Sequence, residues 1–144
     1  MRMKRKSLKI TELNLVDRAK LGRVDTRGVH LEAHEYDTIY YLARYEFNVE
    51  VIRPTNCPKT KNPDFLIGGS IWEAKSPEGS GSSTIARQFH KAGKQADKIV
   101  LDLRRIKLPA ARAEAEAISR FSKSCSIKRL LLITKDERLL DIRR

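Results

Sequence analysis

Apolar and polar positions recur on two different periods along this chain, and the change of period marks its elements. Tyr36, Ile39, Tyr40, Ala43 and Phe47 return at three- and four-residue steps, which predicts an amphipathic helix from Glu32 to near Phe47. Val49 to Arg53 reads as a short strand, and Pro54 to Asn62, with two prolines, a cysteine and two lysines, as a loop. Asp64 to Ile67 is strand-like, Gly68-Gly69 suits a two-residue turn, and Ser70 to Lys75 is the return strand, ended by Ser76-Pro77. Glu78 to Ser83 is rich in glycine and serine. Thr84 to Gln95 is helical, with Ile85, Phe89, Ala92 and Ala96 inward. Lys98 to Leu103 is a strand of the buried type, Ala110 to Phe121 a helix and Leu130 to Thr134 an apolar strand. Leu139 to Ile142 pairs back across Lys135-Asp136-Glu137.

Residues 1–30 are polar and weakly periodic, and read as a basic N-terminal arm ahead of one domain over 31–144. No internal repeat or interdomain linker stands out. The order of elements predicts an α/β (α+β) domain with helices around a central mixed sheet.

Charge sharpens this picture. The 144 residues carry a net charge of +12 and a pI of about 10.0, unevenly spread. Residues 1–30 are net +6, residues 31–96 are neutral, and residues 97–144 are net +6. Two basic flanks around a neutral middle suit a polyanion held on either side of an acidic site, and the excess is larger than solubility requires. Aromatic residues, at 6%, are too few for a broad base-stacking platform. Cys57 and Cys125 form no CxxC and meet no histidine cluster, so they read as reduced thiols and not as a zinc site. His30, His34 and His90 are not at metal-ligand spacing and receive no role. No stretch approaches the ~20 apolar residues of a membrane span, and no apolar leader follows the basic N-terminus, so the expected place of action is inside a cell, with no membrane partner.

The chemistry sits on the hairpin. A two-residue turn at 68–69 sets Ile67 opposite Ser70, Leu66 opposite Ile71, Phe65 opposite Trp72 and Asp64 opposite Glu73. Asp64 and Glu73 then share a face with Cβ atoms about 5 Å apart, and Lys75 points the same way. Two such carboxylates are tolerated when a cation lies between them, and hard oxygen ligands suit Mg²⁺ or Mn²⁺. Lys75 beside them can orient water or offset charge at phosphorus. A solvated hairpin face with ordinary ion pairs is the plainer reading, but Asp is disfavoured in strands and the neighbouring Phe65, Leu66, Ile67, Ile71 and Trp72 predict a buried hairpin.

Asn62-Pro63-Asp64, eight residues, then Glu73-Ala74-Lys75 has the form PD-x8-E-x-K, which resembles the PD-(D/E)XK nuclease superfamily with its restriction-endonuclease-like fold. The wider stretch, Asn62 to Gly69 with Trp72 to Pro77, is similar to the C-terminal nuclease domains of contact-dependent growth inhibition (CdiA-type) toxins, several of which cleave tRNA. The resemblance spans roughly residues 32–135. It implies metal ligands at Asp64, Glu73 and the Ala74 carbonyl, and a catalytic lysine at Lys75. It also places a glutamate on the preceding helix, for which Glu35 is the candidate, although a first-turn acid favouring the helix dipole explains Glu35 equally. Gln88 on the following helix is the candidate phosphate contact, with Arg87, Lys91 and Lys94 as nucleic-acid contacts; an ordinary polar helix face explains them as well. The expected function is therefore a metal-dependent endonuclease using Mg²⁺ or Mn²⁺ on RNA, tRNA first, as part of a secreted toxin delivered to act in the cytoplasm. The implied partners are nucleic acid and an immunity protein, with a homodimer allowed. A DNA endonuclease or resolvase of the same fold, and a non-catalytic nucleic-acid-binding protein, are the alternatives. Buried acids facing a polyanion without a metal argue against the latter.

Overall fold

The computed structural model describes residues 8–15, 20–53 and 65–144. Among them, eight strands form one mixed sheet with helices on both faces. In chain order the elements are β1 (Lys9–Leu13), β2 (Val24–Asp25), α1 (Ala33–Ala43), β3 (Val49–Val51), β4 (Phe65–Ile67), β5 (Ser70–Lys75), α2 (Thr84–Ala92), β6 (Lys98–Asp102), α3 (Ala110–Lys123), β7 (Arg129–Ile133) and β8 (Leu139–Arg143). The sheet order is β1-β8-β7-β6-β5-β4-β3-β2. β5, β6 and β7 run parallel, as do β2 and β3, and the remaining neighbours are antiparallel. Parallel neighbours need long connections, and α2 and α3 are those connections.

The sequence expectation of an α+β domain with a mixed sheet between helices is what the chain adopts. One cluster joins Ile85 and Phe89 of α2 and Ala113, Ala117 and Phe121 of α3 to Ile99, Leu101, Leu130 and Leu132 of the sheet. The other joins Ile39 and Leu42 of α1 to Val49, Val51, Phe65, Trp72, Val100 and Leu131. Alternation along the strands divides the two: Ile99 and Leu101 face α2 and α3, while Val100 and Asp102 face α1.

The β4–β5 hairpin follows the expected register. Ile67 pairs with Ser70, Leu66 with Ile71 and Phe65 with Trp72. Gly68 at φ 56° and Gly69 at φ 83° both occupy the left-handed region, which a two-residue turn matched to strand twist requires. Not all of the hairpin is covered: Phe65, Ile67 and Trp72 are buried, whereas Ile71 is 48% exposed.

Three differences from the sequence expectation exceed two residues. α1 stops at Ala43 and not near Phe47, because the turn after it places Glu46 at φ 73°, a left-handed residue that cannot continue the helix. α2 ends at Ala92, after which the N–H groups of Gln95 and Ala96 fold back onto the Ala92 carbonyl. Within residues 1–30, expected as an arm, the described segments supply both edge strands: β1 pairs with β8 and β2 with β3. β1 gave no sequence signal because its residues are mostly exposed and its hydrogen bonds are backbone ones. Gly22 seals the second segment, donating its N–H to the Ala43 carbonyl at 2.8 Å. A Cβ there would lie 1.8 Å from the Phe47 carbonyl oxygen, so only glycine fits.

Candidate active site

At the C-terminal end of β5 the first turn of α1 and the middle of α2 come together around a cavity of about 330 Å³. Its lining includes Glu35, Thr38, Glu73, Lys75, Ser76 and Gln88. β5 builds it by simple alternation. Trp72 turns into the apolar cluster under α1, while Glu73 and Lys75 pair with Ile99 and Leu101 and so face the α2 side. Glu73 is 4% exposed, an unusual burial for a carboxylate, and Lys75 Nζ lies 3.1 Å from its Oε1. This is the convergence of Glu73 and Lys75 that the hairpin register predicts.

Other expected residues divide. Gln88 and Glu35 both line the cavity, and Ala74 lies on its wall. Glu35 also caps α1: its Oε1 accepts the Glu32 backbone N–H at 3.0 Å. The same side chain thus lines the cavity and closes the first turn of α1. Arg87, Lys91 and Lys94 do not line the cavity; Arg87 and Lys91 stand exposed on α2 and Lys94 is exposed in the turn after it. Asp64 and Cys57 lie outside the described residues. Cys125 is a free, exposed thiol.

The structure adds residues that sequence reasoning passed over. His34 and Thr38, one turn apart on α1, line the cavity, as does Ser76. Thr38 leads into a buried polar network. Its hydroxyl donates to Asp102 Oδ2 at 2.7 Å, and Asp102, 2% exposed, also accepts from Arg104 N, Nε and Nη2 at 3.1, 3.0 and 2.8 Å. Burial alone would depress the Arg104 pKa, but hydrogen bonding and charge from Asp102 outweigh it and hold the guanidinium more firmly protonated than usual. That guanidinium lies 4.6 Å above the Tyr41 ring, and Tyr41 donates its hydroxyl to the Glu137 carbonyl at 2.8 Å. Burial and the neighbouring Tyr45 hydroxyl push the Tyr41 phenol well above its usual range, so it stays neutral.

Arg105 forms a second brace, donating from Nε to Ser76 Oγ at 3.0 Å, from Nη2 to the Ser76 carbonyl at 2.6 Å and from Nη1 to Glu78 at 2.5 Å. It pins the residue that follows Lys75. The signal available in the sequence was the acid inside the apolar run Lys98 to Leu103, followed by Arg104-Arg105. A charge in a buried strand needs a partner, and the adjacent arginine provides it.

The oxygen donors around the cavity fit a hard divalent cation. Glu73 and Glu35 carry carboxylates to it, with the Ala74 peptide at its wall. Glu32, His34 and Glu35 also bring one ligand atom each within 4.8 Å of one another at the cavity rim, but the cap hydrogen bond and the His34–Glu32 contact at 3.4 Å already use these groups.

Comparison with known proteins gives two findings. The model of the contact-dependent growth inhibition CdiA C-terminal domain matches residues 61–139. The solved CdiA-CT/CdiI toxin and immunity complex from Burkholderia pseudomallei contains a chain similar in structure, with a TM-score of 0.64 over 85% of this chain and 100% of that one. At 19% sequence identity this likeness concerns the fold. No curated protein matches the sequence.

Proposed function

We infer the function from one premise: the chain belongs to the contact-dependent growth inhibition CdiA C-terminal domain family, a family of toxin domains. We propose that it is a metal-dependent endonuclease of PD-(D/E)XK type acting on RNA, with tRNA the first substrate to test. The observation that carries the reading is the buried Glu73 carboxylate, held 3.1 Å from Lys75 and opening onto a cavity that Glu35 and Gln88 also line. A buried acid and a lysine on one strand face, with a polar helix side opposite, are the parts a phosphodiester hydrolase needs.

In this reading Glu73 and the Ala74 carbonyl would hold Mg²⁺ or Mn²⁺, joined by Asp64 on the sequence pattern alone, with Glu35 beside them on the cavity wall. When bound, the ion supplies positive charge to the phosphoryl oxygen and acidity to a water. Lys75, placed by β5 beside Glu73, orients the attacking water and offsets charge that builds on the phosphoryl oxygens. Gln88 donates its amide N–H to a non-bridging oxygen from the α2 side. Arg105, by fixing Ser76, keeps the end of β5 in register so that Lys75 does not swing away. The net charge of +12 draws in the polyanion. We further propose that an immunity protein protects the producing cell, as the composition of the Burkholderia complex illustrates for its own toxin, and that the toxin acts in the cytoplasm of its target.

The test is incubation of purified protein with total tRNA and with supercoiled plasmid, in Mg²⁺, in Mn²⁺ and in EDTA, beside the Glu73→Gln variant. Metal-dependent cleavage of tRNA that the variant lacks is expected. Cleavage of plasmid alone would make it a DNA endonuclease, and binding without cleavage in every metal would overturn the enzymatic reading.

A further inference from the structure

Outside the cavity at β5, α2 and α3 enclose a second depression of about 350 Å³. It is lined by His90 and Lys94 from the α2 side and by Arg120 and Lys123 from α3, over a floor that includes Phe89 and Gly93. No carboxylate lines it among the described residues. The helical step of 100° per residue connects it to the first cavity. Gln88 lies on the side of α2 facing β5. Going round the exposed side, Lys91 and Arg87 follow and then His90 at the depression, with Lys94 in the turn after the helix.

These cations differ from others in the molecule. Arg104, Arg105, Arg129, Arg138 and Arg143 are each held in an ion pair. Arg87, Lys91, Lys94, Arg120 and Lys123 are exposed and take part in no ion pair among the described residues. Their charge is available to an external anion. A lipid surface is a poor fit, since interfacial binding needs apolar anchors beside the cations. Among the described residues the exposed large apolar ones are Ile10, Leu15, Leu21, Tyr40 and Ile71, none of them on α2 or α3.

We propose that the α2–α3 depression is a backbone-binding subsite for nucleic acid, in which His90, Lys94, Arg120 and Lys123 hold phosphates of the strand after it crosses the outer side of α2 from the cavity. The crossing spans about one helix diameter, roughly 10 Å. The assignment rests on the nuclease reading for the direction of the strand, but its test reads binding and not cleavage. Arg120 and Lys123 are sequence-independent contacts, so their loss weakens binding to every nucleic acid alike and lowers its salt dependence.

The experiment titrates fluorescently labelled tRNA with the full chain in EDTA, across a range of salt concentrations, by fluorescence anisotropy. It compares wild type, Arg120→Gln/Lys123→Gln, and a control of equal charge loss, Lys20→Gln/Arg23→Gln, beside β2 at the edge of the sheet. The groove variant should bind on the order of ten-fold more weakly, with the slope of log affinity against log salt reduced by about 1.5, and the control by much less. Circular dichroism melts check that both variants stay folded. Equal effects in the two variants, or none in the groove variant, would overturn the subsite. So would an unchanged tRNA slope accompanied by lost binding to phosphatidylserine vesicles, which would assign the surface to a membrane. An inactive protein that still shows the groove effect would refute the nuclease reading alone.

Discussion

Asp102 sits at the end of β6 with its carboxylate 2% exposed and filled by donors: the Thr38 hydroxyl, the Arg104 backbone N–H and two guanidinium nitrogens of Arg104, all at 2.7 to 3.1 Å. Asp102→Asn keeps the shape and removes the charge. The new amide NH₂ must point at one of these donors, and the half-buried Arg104 loses its counterion. Removing one partner of a buried pair costs about 3–5 kcal/mol, and the remaining amide oxygen recovers part of it, so about 3 kcal/mol is expected. In a domain of this size each kcal/mol lowers the melting temperature by roughly 2–4 °C, giving a drop of about 6–12 °C. The assay is thermal unfolding followed by circular dichroism, repeated for Arg104→Met and for the double variant Asp102→Leu/Arg104→Met. Removing both charges together should restore much of the loss, because no buried charge is then left alone. A fall below about 2 °C for Asp102→Asn, or a double variant that loses the sum of the two singles, would refute the coupling between these residues.

Lys75→Ala should reduce tRNA cleavage by on the order of 10²–10³-fold with near-normal tRNA affinity, since the lost ammonium acts on charge that appears only in the transition state; anisotropy and single-turnover gels separate the two. Adding Mg²⁺ or Mn²⁺ at about 100 times its dissociation constant should stabilise the wild type by roughly 2.7 kcal/mol in thermal scans and Glu73→Gln by far less, whatever the activity. Gly22→Ala should cost about 2–3 kcal/mol, because its methyl meets the Phe47 carbonyl and the segment must shift; an unchanged melting temperature would return that segment to a detached arm. Acid should unfold the protein through Asp136 and Asp141. Arg138 and Thr134 lower Asp136 from 3.8 to about 2, and burial of Asp141, which alone would raise its pKa, is outweighed by hydrogen bonds from Arg143 and Arg129. Both folded-state values are depressed, so their stabilisation is complete above the unfolded value near 3.8 and is lost as pH falls below it. Urea midpoints between pH 5 and pH 2 should decline over that window, and flatten in Asp141→Asn.

Local chemistry carried most of the middle of this chain to its fold. The Gly68-Gly69 turn fixes the register of β4 against β5, and strand alternation then puts Glu73 and Lys75 on one face whatever surrounds them. The helices that start at Thr84 and Ala110 were legible from their apolar spacing, though not to their last residues, because each buries one stripe against the sheet. Pairing across long separations was not legible. β1 joins β8 through backbone hydrogen bonds between segments more than a hundred residues apart, with little side-chain burial to mark it. For the same reason His34, Thr38 and Ser76 entered the cavity unannounced. Their spacing on α1 and after β5 says nothing of which strand end they meet, and only the layering of α1 and α2 on opposite faces of the sheet brings them to Glu73. The sequence alone determined the charged pair on β5, since a two-residue turn leaves one register. The tertiary structure decided how deeply that pair is buried and which helices close over it, since those depend on contacts that no local pattern encodes.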